Sequence, residues 1–275
     1  MRKVIDSNQL RSLELRAFLA QSRHNIAVLT DYSAIEAYKG SSLEGIYRSM
    51  SILSDFSDQV VILKATSVVC GLNGRAAGLQ KRLIDSRQTV GFGQYVQDLR
   101  SAQAGNREAH QKLLDHGAAA SVQVGRILKD TKALGEGIQG IAKLYSQEER
   151  ALIRLNQSHT PELIDKTGKF ILELAAQMFG SHPKVTAIPT YGELLNTFIF
   201  RHALCTFLLA LDWGANGGVQ DAKPERLQND LIDMNFAAYG TFFDGLMSGD
   251  AKCLQVHKQA RIWLRRVFQC RLSGG

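Results

Sequence analysis

Short apolar runs alternate with stretches of helical period at the start of the chain and again near its end. Arg2 to Ile5 reads as a strand that ends in an acid, Asp6. Gln9 to Gln21 then reads as a helix, with Leu10, Leu13, Phe18 and Leu19 roughly on one face. Ile26 to Leu29 is a second buried strand, Ser33 to Tyr38 opens the next helix, and Gln59 to Leu63 is a third strand. This alternation predicts an α/β fold in which a parallel sheet is flanked by helices.

From Ala65 to Pro224 almost nothing alternates with period two. Helical period recurs at Ala109–Leu114, Val122–Leu128, Ile138–Leu155, Pro161–Phe179 and Tyr191–Trp213. Three glycine-rich pieces, starting at Gly71, Gly91 and Gly214, read as turns. A helix from Glu225 to Tyr239, a strand from Asp244 to Ser248 and a basic helix from Ala251 to Phe268 close the chain. The expected organisation is a core built from residues 1–64 and 225–275, interrupted by an all-helical insertion, 65–224.

A composition of 45% hydrophobic and 21% charged residues is that of an ordinary globular protein. A net charge of +7 and a pI near 9.3 favour an anionic partner, nucleic acid before an acidic membrane. The four cysteines form no Cys-x-x-Cys pair and have no histidine at metal-ligand spacing, so reduced packing residues in a cytoplasmic protein are expected. The apolar stretch at the N-terminus is too short for a signal peptide. Leu194 to Trp213 carries Arg201 and His202 at its centre, which argues for a buried helix rather than a membrane span, with the two as a core pair and Glu193 as a helix-start acid.

Five acids sit where chemistry is possible: Asp6, Glu36, Asp230, Asp233 and Asp250. Loops at the carboxyl ends of parallel strands converge on one edge. Asp6 and Asp250 lie just past strands, Glu36 one to two turns into a helix, and Asp230 and Asp233 three apart on another. Carboxylates gathered there repel one another unless cations lie between them, and Mg²⁺ or Mn²⁺ suits such oxygen ligands. Taken singly, each acid reads more readily as a helix cap or a surface charge; Asp6 suits the first helix and Asp250 the last.

The run Val4-Ile5-Asp6-Ser7-Asn8 resembles the first motif of PIN-domain ribonucleases, and Glu36 resembles their second acid. Asn229 to Phe236 followed by Phe243 to Lys252 is similar to the family's later helix with an early Asp, short strand and Ser/Thr-x-Asp. The resemblance implies a PIN-like fold and metal-dependent hydrolysis of RNA, with Asp6, Glu36, Asp230 and Asp250 as catalytic metal ligands. Asp233 competes with Asp230 for the third position or joins it, and Asn8 and Ser248 would orient the carboxylates. A toxin or defence effector restrained by a protein partner, or a homo-oligomer, fits the same family. The alternatives are an inactive PIN-like RNA-binding or interaction module and a DNA-cutting relative. The chain departs from the family in its long helical insertion and in a basic helix where a last strand is usual.

That helix offers Lys252, Lys258, Arg261, Arg265 and Arg266 to a nucleic-acid backbone, with Ile262, Leu264, Val267 and Phe268 expected to pack. An ordinary solvated amphipathic helix reads equally well, and its apolar face is too modest for a membrane surface. Gly71 to Arg75 lacks the Lys-Ser/Thr of a phosphate loop, and Gly91-Phe92-Gly93 lacks the third glycine of a dinucleotide fingerprint. His110, His116 and His159 have no acid or cysteine at useful spacing.

Overall fold

The computed structural model describes residues 1–38, 42–75, 78–115, 118, 137, 140–141, 143–154, 160–217 and 224–270. Four strands, β1 (Arg2–Ile5), β2 (Ile26–Leu29), β3 (Val60–Ile62) and β4 (Gly245–Met247), form one all-parallel sheet in the order β3-β2-β1-β4. Parallel neighbours cannot be joined by a tight turn, so each connection carries helices. Helix α1 (Leu13–Gln21) links β1 to β2, and α2 (Asp31–Tyr38) with α3 (Leu43–Asp55) links β2 to β3. Between β3 and β4 come α4 (Ser86–Gln103), α5 (Gln147–Arg154), α6 (Pro161–Ser181), α7 (Phe198–Ala215) and α8 (Pro224–Gly240). Helix α9 (Ala251–Ile262) follows β4. The fold is α/β with a flanked parallel sheet, as the alternation predicts.

Successive strand residues face opposite sides, and the two sides are packed differently. Val4, Val28 and Leu246 face a core built with residues of α6, α7, α8 and α9. Ile5, Ala27, Leu29 and Met247 face residues of α1 to α4. Helix starts are fixed by side-chain oxygens that accept otherwise unpaired backbone N–H groups. Ser12 serves Leu15 in α1, Asp85 serves Gln88 in α4, and Thr197 serves Phe200 in α7.

Several expected boundaries shift for identifiable reasons. The chain after Asp6 forms a 3₁₀ turn, Ser7–Gln9, and α1 begins only after the Ser12 cap. Gly91-Phe92-Gly93 is not a turn but lies inside α4. There the buried side chains of Phe92, Val96 and Leu99 recur at helical spacing and outweigh a glycine penalty of about 1 kcal/mol each. Tyr191 to Trp213 divides into a short helix, Tyr191–Leu194, and α7; Thr190 and Glu193 form a capping box at the first. The basic helix ends at Ile262 and continues as a π turn, Trp263–Val267. The expected helical segment Val122–Leu128, with His116 and His159, lies outside the described residues.

Helix α7 is long and apolar enough to cross a membrane, yet 72% of it is buried within the fold. Its Arg201 is 1% exposed. The guanidinium donates to the carbonyl oxygens of Leu195 (3.0 Å) and Thr241 (2.7 Å) and lies 3.8 Å over the Phe242 ring. It thereby fastens the start of α7 to the turn between α8 and β4. The same turn needs Gly240, because a Cβ there would stand 2.9 Å from Cδ2 of His257.

Two stability tests follow from these buried groups. Arg201→Met leaves two buried carbonyls without a donor and is expected to cost roughly 2–4 kcal/mol in urea unfolding; a cost under half of that would sink the fastening role. Burial, with the nearby Arg261 charge adding to it, pushes the His257 imidazole from 6.5 down to about 4, although a backbone contact at Gly240 pulls the other way. The fold therefore holds His257 neutral. Its contribution is complete above pH 6.5 and is lost as pH falls towards 4, a change on the order of 3 kcal/mol. The slope of unfolding free energy across this window should flatten in His257→Leu, and an unchanged slope would refute the assignment.

Candidate acidic site at the carboxyl edge of the sheet

Pairing of β1 with β4 sets Val4 beside Leu246 and Ile5 beside Met247, and the Asp6 N–H extends the ladder to the Met247 carbonyl (2.9 Å). The next residue on each strand is thus Asp6 and Ser248. Asp6 is 1% exposed and caps no helix with its side chain. Its Oδ2 accepts from Asn8 Nδ2 (2.8 Å) and Ser248 Oγ (2.5 Å), and its Oδ1 from Ser7 Oγ (3.2 Å). Asn8 also accepts from the Gly249 N–H (2.8 Å), so the two chain ends are tied on both sides of the carboxylate. Such bonds fix a carboxylate's direction and support its charge.

Asp250 does cap α9, accepting from the Cys253 N–H at 2.7 Å, while its own N–H donates to Ser248 Oγ at 3.0 Å. Asp230 and Asp233, three apart on α8, do not share one environment. Asp230 is buried, accepts from Trp213 Nε1 (2.9 Å), and pairs with Lys252 Nζ at 2.7 Å. Lys252 also lies 4.3 Å from the Trp213 ring centroid. Asp233 is half-buried, and its carboxyl is pushed up to about 8, first by burial, then by the carboxylates of Asp6, Asp250 and Asp230, with Lys252 opposing. Four acids from β1, α8 and the start of α9 therefore share one field.

Glu36 is half-buried on α2. Helix α2 is placed by Ser33, whose hydroxyl donates to the Ile5 carbonyl (2.9 Å), the peptide group leading into Asp6. Glu36 is one helical turn beyond Ser33 on the same face. Among the described residues, no three His, Cys, Asp or Glu side chains stand together as a ready-made metal cage. The donor chemistry still suits a hard cation: Asp6, Asp233 and Asp250 offer oxygen atoms alone, and the nearness of the other two, after burial, raises the Asp233 carboxyl. Burial keeps the Cys253 thiol beside them protonated, which removes it as a thiolate ligand or nucleophile.

The basic helix sorts its cations. Lys258, Arg265 and Arg266 are exposed, while Arg261 is half-buried and donates to the Phe243 carbonyl (3.3 Å). Lys252 is committed to Asp230. Ile262, expected to pack, is 45% exposed instead, because the helix turns that edge outward. It borders a groove of about 630 Å³ that also meets Arg154, Lys258, Arg266, Trp263 and Asp212. Asp212, raised first by burial, also feels the charges of Lys252 and Asp230.

Sequence reasoning passed over Asp31, two residues past the end of β2 where Asp6 is one past the end of β1. Burial raises its carboxyl against the hydrogen bonds that Thr66 donates through N–H (2.8 Å) and Oγ1 (2.7 Å). The signal was present: an acid two residues after a buried strand. No protein-family model, curated protein or solved structure matches this chain.

The crowding at Asp233 predicts a stabilising substitution. A carboxyl raised to about 8 from 3.8 destabilises the fold increasingly as pH rises through that interval. Asp233→Asn should therefore raise the melting temperature in EDTA at pH 7 by about 5 °C, the equivalent of roughly 2 kcal/mol. A lowered melting temperature there would contradict the shared field.

Proposed function

We propose that this chain is a PIN-like, metal-dependent endoribonuclease that hydrolyses RNA phosphodiester bonds. The observation that carries this reading is the convergence of Asp6, Asp233 and Asp250 at the carboxyl edge, with Asn8 and Ser248 holding Asp6 in a fixed direction. Mg²⁺ or Mn²⁺ held there supplies an activated water and charge stabilisation at the leaving oxygen. Asp6, Asp233, Asp250 and Glu36 are the residues that would hold it. Asp233 is preferred to Asp230 for the third position, because Lys252 already neutralises Asp230.

The remaining residues bind and orient. Ser248 bridges Asp6 and the Asp250 backbone, so the two acids move as a unit. Lys258, Arg266 and Arg154 on the groove, with Arg265 exposed on the same basic segment, offer cations to a phosphate backbone. Lys252 and Arg261 support this surface from within. A toxin or effector role restrained by a protein partner rests on fold-level analogy alone. The Lys252–Asp230 ion pair favours a second reading, an inactive PIN-like module that binds RNA without cutting it.

Labelled single-stranded RNA and matched DNA separate these readings. With Mn²⁺, wild type is expected to cut RNA, and EDTA should abolish cutting. Asp6→Asn and Asp233→Asn should each lower the rate at least 100-fold, a loss of about 2.7 kcal/mol in transition-state stabilisation. Binding of RNA without cleavage under any metal would establish the inactive module, and preferential cutting of DNA would reassign the substrate.

A further inference from the structure

The groove beside α9 carries apolar surface as well as charge. Gln255, Lys258, Gln259, Ile262, Trp263 and Arg266 line it at spacings of three and four residues, which places them on one face of α9 and its π turn. That face runs for roughly 16 Å, about three turns of a helix. Ile153 and Arg154 line the groove from α5, Ile164 from α6, and Leu208 and Leu211 from α7. Ile153 and Ile164 are half-buried and Ile262 is exposed, so aliphatic surface in the groove still meets water. The π turn at its end, closed by the Phe268 N–H on the Trp263 carbonyl (3.0 Å), is a rare geometry that recurs at functional sites.

Among the described lining residues, Arg154, Lys258 and Arg266 are exposed cations and Asp212 is an acid. A phosphate backbone would use the cations but leave the aliphatic surface in water. A purely apolar ligand would leave the cations unmatched. Both are satisfied by a ligand with one apolar face and acidic flanks. We propose that this groove docks an acidic amphipathic helix of a partner protein. Its apolar residues, at i, i+3, i+4 and i+7, pack against Ile153, Ile164 and Ile262, and its carboxylates meet Arg154, Lys258 and Arg266. A helix suits the groove better than an extended segment, because a wall with side chains at helical spacing interdigitates with ridges of the same spacing. Arginines on the rim favour carboxylates, which they can hold with two parallel hydrogen bonds. The inference stands apart from the nuclease reading and survives its failure.

Peptide binding in EDTA tests the groove without requiring cleavage. The probe is a fluorescein-labelled synthetic helix of about fourteen residues, four turns, with leucines at helical spacing and glutamates on both flanks. Fluorescence anisotropy should show it binding the full chain about tenfold or more tightly than a version with lysines for the glutamates, or with serines for the leucines. Ile262→Gln, which removes aliphatic surface at an exposed position, and Arg266→Glu, which reverses a rim charge, should each weaken binding about fivefold or more. Arg100→Glu, at an exposed position on α4, should leave it unchanged. Absence of binding, equal binding of the lysine version, or binding untouched by both groove substitutions would overturn the inference. Single-stranded RNA that binds through Arg266, ignores Ile262→Gln and meets no competition from the acidic helix would assign the groove to nucleic acid instead.

Discussion

Everything in this molecule depends on β1 pairing with β4, two short strands from opposite ends of the chain. Val4 sits beside Leu246 and Ile5 beside Met247, more than two hundred residues away in sequence. Closing so long a connection costs little more than closing one half as long, because loop entropy grows only with the logarithm of length. What the pairing requires is a correctly placed incoming strand. The Arg2 N–H meets the Asp244 carboxylate (2.7 Å) at one end, and the Ser248–Asp6 hydrogen bond closes the other. Behind them, Arg201 holds the turn at Thr241 from the buried helix α7.

The acids at this junction receive four different treatments. Asp6 is surrounded by donors, Asp250 is spent partly on a helix cap, and Asp230 is matched by Lys252. Asp233 alone keeps an uncompensated carboxyl, and the field of its neighbours raises it to about 8. A fold selected only for stability would place an amide or an apolar side chain there. In the proposed nuclease, a divalent cation between Asp233, Asp6 and Asp250 would relieve that crowding.

The helices after β3 complete the surroundings of the site. Helix α4 closes an aromatic cavity beside α2, while α5, α6 and α7 meet α9 around the cationic groove. The cationic groove and the cavity beside α2 are thus both built by these helices. Both depend on helices whose order in the chain says nothing about their neighbours in space.

The sequence by itself determined the strands, the helices around them and the parallel sheet, because continuous apolar runs and helical period are local properties. It also marked Asp6, Ser248 and Asp250, since an acid or hydroxyl just past a buried strand has to lie at the sheet edge. Only the tertiary structure separated Asp230 from Asp233, because that difference is made by Trp213 and Lys252, which arrive from α7 and α9. It also put Gly91 and Gly93 inside a helix, through the burial of Phe92, and placed Asp31 beside a cavity that α4 also lines. Charge fields and cavities are sums over distant segments, and no stretch of sequence contains them.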